Sequence, residues 1–90
     1  MQNTVWIPAL HRDLTGGAET ITVEGDTISD LINQLDTQFP GFKARLTEDG
    51  QIKAKIAIAI NGEVTHRGLR QRLTEPSEVH FIPALSGGAR

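Results

Sequence analysis

The sequence predicts an α+β fold in which a small mixed sheet packs on one main helix. Three observations carry this reading. Short apolar segments of period two occur toward both ends of the chain. A single long apolar stripe at helical spacing lies between them. Asn61-Gly62 joins two of the later β segments as a two-residue hairpin turn would.

Taken in order, Thr4 to Leu10 alternates around Val5 and Ile7, and Thr20 to Val23 does so around Ile21 and Val23. Asp13-Leu14-Thr15-Gly16-Gly17 between them reads as the turn of a hairpin. Gly25-Asp26-Thr27 then leads into Ile28, Leu31, Ile32, Leu35 and Phe39, one continuous helical face. Thr27 is the expected N-cap, and Asp30 three residues on resembles a capping box and complements the helix dipole. Pro40-Gly41 stops the helix, and Phe42 to Leu46 is expected to add a short helical turn before Glu48-Asp49-Gly50. In Lys55 to Ile60 the residues Ile56, Ile58 and Ile60 share one face, with Ala57 and Ala59 on the other. Asn61-Gly62 follows, because a type I′ turn needs positive φ at both central positions, and Glu63-Val64-Thr65 is the return strand. Gly68 to Leu73 carries only two apolar anchors and reads as a turn or short helical segment. Glu78 to Ile82 is the last strand, ended by Pro83, which has no N–H for a ladder. A sheet of this order gripping one helix is the β-grasp. Ile28, Leu31, Ile32 and Leu35 are expected to pack on Val5, Ile7, Ile21, Val23, Ile56, Ile58, Val79 and Phe81.

Ninety residues make one small domain with a single core. Without cysteine there is no disulfide framework, thiolate zinc site or cysteine nucleophile. A formal net charge of −2 argues against a nucleic-acid or anionic-membrane surface. No apolar run approaches the ~20 residues of a membrane span, and no basic segment precedes an apolar signal core. The chain is expected to be soluble and cytoplasmic.

The chemistry is concentrated at the end, in Leu85-Ser86-Gly87-Gly88-Ala89-Arg90. Glycine has no Cβ, so a Gly-Gly segment can lie extended in a narrow channel and approach a nucleotide phosphate with backbone alone. Two residues overhang that pair and, at about 3.3 Å each, set the present carboxylate about 7 Å beyond the glycyl carbon. The chain therefore reads as a precursor, with residues 1–85 as the β-grasp domain and 86–90 as a flexible tail with a removable Ala-Arg extension; the other reading of Gly87 and Gly88 is a frayed terminus, where small flexible residues are common.

Other chemically capable residues give weaker patterns. His11, His66 and His80 lack the spacing of a metal site, and neither a catalytic residue nor a metal ligand is assigned. Asp26 and Asp30 suit the helix start better than acid–base work. Arg67, Arg70 and Arg72 form a basic cluster, either a solvated turn or a surface for a partner's acidic patch. Trp6 points opposite Val5 and Ile7, as an anchor for a partner or as packing beneath a loop. Ile82, opposite Val79 and Phe81, poses the same choice.

The element order, the Gly25-Asp26-Thr27 helix start, Ile60-Asn61-Gly62 and the final Val79-His80-Phe81-Ile82-Pro83-Ala84-Leu85-Ser86-Gly87-Gly88 together resemble the ubiquitin-like sulfur carriers of the MoaD/ThiS family, from Val5 through Gly88. Thr15-Gly16-Gly17, Gly25-Asp26-Thr27 and Ile82-Pro83-Ala84 look most like the cysteine-biosynthesis (CysO-like) subgroup. The resemblance implies a non-enzymatic carrier that binds no cofactor itself. A ubiquitin-activating-type adenylating enzyme would use ATP to adenylate Gly88, and a sulfur donor would convert it to a thiocarboxylate. A JAMM-type zinc metalloprotease would first cut between Gly88 and Ala89, and a PLP-dependent synthase or other enzyme would accept the sulfur. Three alternatives stand beside this: a molybdopterin synthase small subunit, a ubiquitin-like protein modifier, and a β-grasp adapter with an inert tail.

Overall fold

In the structure, a computed structural model describing residues 1–83, the chain opens with a hairpin. Strands β1 (Gln2–Trp6) and β2 (Thr20–Glu24) pair antiparallel, with Gln2 opposite Glu24 and Trp6 opposite Thr20. The first strand stops at Trp6 and does not run on to Leu10, because Pro8 has no N–H and Ala9–His11 close into a 3₁₀ turn. Ile7 still donates its N–H to the Glu19 carbonyl at 2.8 Å and stays in the core.

Helix α1 spans Ile28–Gln38. Thr27 caps it as expected, its Oγ1 accepting the Asp30 N–H at 3.1 Å. The return bond is displaced by one residue from a capping box: Asp30 Oδ2 accepts the N–H of Asp26 at 3.2 Å. Gly25 is required there by close approach, since a Cβ would stand 2.9 Å from both Asp30 Cβ and Leu31 Cδ2. At the other end Asp36 Oδ1 accepts the N–H groups of Gly41 and Lys43 at 3.1 and 3.0 Å. That carboxylate satisfies orphan amides at the start of α2 (Phe42–Leu46) and fixes the turn between the helices.

A two-stranded hairpin follows, β3 (Thr47–Glu48) with β4 (Gln51–Ile52), turning through Asp49 and Gly50 at φ 54° and 77°. Two residues per strand are too few to show alternation, so periodicity did not reveal it. β5 (Ile56–Ile60) and β6 (Glu63–Thr65) form the expected hairpin, with Asn61 and Gly62 at φ 51° and 89°. A 3₁₀ turn at Gly68–Arg70 precedes β7 (Glu78–Pro83).

The main sheet has the order β2-β1-β7-β5-β6, with β1 and β7 parallel at its centre. One face is closed by α1, α2 and Leu73. Val5, Ile7, Val23, Ile58, Val79 and Phe81 from the strands meet Ile28, Leu31, Ile32, Leu35, Phe42 and Leu46 from the helices in one core, with Ile21 and Ile56 packed at its margin. Burying each such side chain contributes roughly 1.5–3 kcal/mol. Asn3, the largest buried polar side chain, is satisfied: Nδ2 donates to the carbonyls of Met1 and Gly25, and Oδ1 accepts the Ser77 N–H at 3.0 Å. It thereby ties the lead into β7 to β1. Among the described residues no helix is long and apolar enough to cross a membrane.

Candidate functional site

Alternation places every second residue of the strands on the face that no helix covers. The register aligns Thr20, Trp6, His80, Ala59 and Val64 in one row across all five strands, and Ile82 beside Ala57 in the next. Parallel pairing of β1 with β7 sets Trp6 directly beside His80, and the two rings stack with centroids 5.3 Å apart and planes 8° from parallel. Trp6 Nε1–H donates to Glu78 Oε1 at 3.1 Å, which fixes the indole from its polar edge. Trp6 is thus held by its neighbours in the sheet, His80 at its face and Glu78 at its polar edge. It is half-buried and pre-set, so a partner would meet it without first ordering it. Ile82 and Val64, 46% and 54% exposed, flank this stack, while Ala57 and Ala59 keep the middle of the face low.

At one end of this face the sheet borders an open cleft of about 870 Å³ whose wall includes Arg67, Arg70, Lys53 and Lys55. Arg67 and Arg70 of the predicted basic cluster therefore meet here. Arg72 does not: its backbone bridges to Thr27 and its side chain lines a second, smaller groove shared with Glu63 and Glu75. The two lysines escaped sequence reasoning because they lie more than ten residues before the arginines. Leu85, Ser86, Gly87, Gly88 and Ala89 lie outside the described residues. What the structure gives of the tail is its origin, Pro83, in register with Ile56 at the cleft end of the sheet.

The histidines stand apart. His80 is in the stack, His66 lines the cleft, and His11 sits edge-on to Phe42, with ring centroids 6.0 Å apart. His11 Nδ1 is shielded from solvent and, among the described residues, has no hydrogen-bond partner. Burial, then the Arg45 guanidinium, holds its pKa below the usual imidazole value. Arg45 forms a bidentate pair with Asp13, both bonds 2.9 Å, which lowers the Asp13 pKa and pins the β1–β2 loop to α2. Among the described residues no cluster of three His, Cys, Asp or Glu could hold a metal. The geometry offers a shaped, partly apolar sheet face and a cationic border where the last strand ends, and no catalytic constellation among the described residues.

Such a face on a five-stranded sheet gripping one helix defines a ubiquitin-like β-grasp protein, and solved structures agree. The chain superposes on CysO in the Amycolatopsis orientalis BexX/CysO complex with a TM-score of 0.87 at 29% identity, covering 94% of this chain and 98% of that one. For Mycobacterium tuberculosis CysO the TM-score is 0.83 at 29% identity, covering 91% and 98%. The chain belongs to the ThiS family, whose model matches residues 5–88. Within it the CysO-like subgroup is supported: the sulfur carrier protein CysO of M. tuberculosis is 30% identical over 98% of this chain and all of the relative. Small archaeal modifier protein 3 of Haloferax volcanii is 33% identical over 69% of this chain and 70% of its own length.

Proposed function

We propose that this chain is a sulfur carrier of the CysO type and is itself no enzyme. The observation that carries this reading is the extent of the family match, which ends at residue 88, the second glycine of the tail. In the proposed cycle a zinc metalloprotease of JAMM type removes Ala89-Arg90 and frees the Gly88 carboxylate. A carboxylate oxygen then attacks the α-phosphorus of ATP on an adenylating enzyme, pyrophosphate leaves, and a glycyl adenylate forms. Sulfide supplied by the sulfur source attacks the glycyl carbonyl carbon, the carbon–oxygen bond to AMP breaks, and AMP leaves with a thiocarboxylate on Gly88. That sulfur is the nucleophile delivered to an accepting enzyme, for cysteine or a related amino acid a PLP-dependent synthase. The carrier supplies a covalent handle at Gly88, on what remains of the 86–90 tail after Ala89-Arg90 is removed, and a docking face built on Trp6, His80 and Ile82. The cycle as proposed proceeds in the cytoplasm.

The geometry fits this division of labour. β7 contributes His80 and Ile82 to the open face and ends at Pro83, so docking and delivery share one strand. Five residues from Ala84 to Gly88 reach at most about 17 Å when extended. A partner seated on the open face therefore has to bring its reaction centre within that distance of the sheet end.

The experiment is to incubate full-length and Gly88-ending chains with the adenylating enzyme, ATP and a sulfur source and to read intact mass. The trimmed chain is expected to gain the mass difference of one sulfur for one oxygen, and the full-length chain to stay unchanged. Gly88→Ala in the trimmed chain is expected to abolish most of the gain, because a methyl group enters a channel shaped for backbone. Thiocarboxylation of the full-length chain without loss of Ala89-Arg90 overturns the precursor step. The archaeal modifier relative favours a second reading, in which Gly88 is joined to lysines of other proteins; higher-mass conjugates in cell extracts would select it.

A further inference from the structure

The border of the open face has a composition the chain as a whole does not share. Eleven Asp and Glu outnumber nine Lys and Arg in the sequence, yet the 870 Å³ cleft is lined by Lys53, Lys55, Arg67 and Arg70 and by no carboxylate. Among the described residues the ion pairs within 4.0 Å involve the N-terminus with Glu24 and Asp26, and Arg45 with Asp13; none neutralises these four cations. Lys55, Arg67 and Arg70 are exposed and Lys53 half-buried. Between them the lining is partly apolar, from Ile52, Ile56, Leu69 and Ile82, beside the polar side chains of Gln51, Thr65 and His66. A bare inorganic anion would leave that apolar surface wet, whereas a peptide with carboxylates around an apolar side chain would use both parts. The cleft also lies beside the last described residues of the sheet: Ile82 belongs to β7, and Ile56 stands opposite Pro83.

We infer that this cleft is the docking site for an acidic segment of the partner protein that activates the tail, one whose carboxylates flank an apolar side chain. The inference rests on the proposed carrier function for the identity of the partner but not for the chemistry of the site. Four cations without an ion-pair partner among the described residues leave a local positive field on a net-negative chain. Such a field acts first on the rate and orientation of encounter and is screened by salt. The apolar lining then holds the segment in place. Because Ile82 is shared between the cleft and the open face, one partner can cover both at once, which orients it relative to Pro83.

The test has two arms. In the first, the isotope-labelled full-length chain is titrated with the peptide acetyl-Glu-Leu-Glu-Glu-Leu-Glu-amide while backbone amide shifts are followed. Shifts are expected at Lys53, Lys55, Arg67, Arg70 and Ile82, with affinity falling as salt rises from about 0.05 to 0.3 M. They are expected to vanish in Lys55→Glu/Arg67→Glu and to persist in Lys43→Glu, on α2 and outside the cleft lining. Absence of binding, shifts elsewhere, equal affinity for inorganic pyrophosphate, or tighter binding of a single-stranded oligonucleotide each overturns the inference. In the second arm the Gly88-ending chain is adenylated by the activating enzyme. The double charge reversal is expected to raise KM by roughly tenfold, within the range of electrostatic steering, with a much smaller change in kcat. An unchanged KM overturns docking of that enzyme to the cleft. If the wild-type chain is not adenylated at all, the proposed function fails, and the peptide titration still decides the cleft.

Discussion

The two faces of the main sheet are written by the same strands and differ in almost every physical respect. On β1 Val5 faces the helices while Thr4 and Trp6 face out; on β7 Val79 and Phe81 face in while His80 and Ile82 face out. The inner face is filled by aliphatic and aromatic bulk with no charge, and α1 completes it. The outer face is low in the middle, at Ala57 and Ala59, and raised around it by Trp6, His80, Val64 and Ile82. The inner face thus sets stability, the outer face carries partner choice in the proposed function, and mutations should separate the two.

The sharpest separation is expected from Leu31→Ala. Leu31 is fully buried at the end of the first turn of α1, so its truncation should cost about 2–5 kcal/mol in urea unfolding. A change within experimental error would show that the inner face is not the source of stability. Gly25→Ala should cost about 1–3 kcal/mol by overpacking, because its Cβ must displace Leu31 Cδ2 or part the Asp30 turn. Neutral behaviour there would mean that the entry to α1 yields easily.

On the outer face the balance should reverse. Trp6→Ala removes the stack on His80, expected to cost about 0.5–1.5 kcal/mol beyond the lost burial of the half-buried ring, while Ile82→Ser should stay within about 0.5 kcal/mol. Both should raise KM for adenylation, with Trp6→Ala the stronger. Should Ile82→Ser unfold the protein, or should neither change touch activation, the division between faces is wrong.

Much of this was legible in the sequence. The stripe from Ile28 to Leu35, the Thr27 cap, Asn61-Gly62 and the β5 alternation are local patterns, and local patterns survive folding. Trp6 and Ile82 were correctly placed opposite the core residues by period two alone. The partner of Trp6 was not legible, since stacking on His80 depends on parallel register between strands seventy-four residues apart in pairing. For the same reason Lys53 and Lys55 could not be joined to Arg67 and Arg70: tertiary structure closes that cleft. Arg72, only two residues from Arg70, lines the other groove because its backbone is bridged to Thr27.

The smallest expected effect lies at the rim of the inner layer, where His11 packs edge-on against Phe42. Burial and the Arg45 guanidinium lower its pKa from 6.5, so the folded protein prefers the neutral ring. The unfolded chain then binds more protons than the folded one in the interval between that lowered value and 6.5. Stability rises with pH wherever the unfolded state holds more protons, so the contribution is present above pH 6.5 and is lost as pH falls through the lowered value. The Asp13–Arg45 pair acts in the same direction but in a lower window, since the Asp13 pKa is depressed from 3.8. Thermal melting followed between about pH 7.5 and 5 therefore spans the histidine range, and comparison with a His11 variant isolates its contribution. The wild-type melting temperature should fall modestly on acidification, and His11→Leu, which fills the same site without a titrating nitrogen, should flatten that part of the slope. A wild-type curve that rises on acidification, or a His11→Leu curve as steep as the wild type, would remove His11 from the inner face's account of stability.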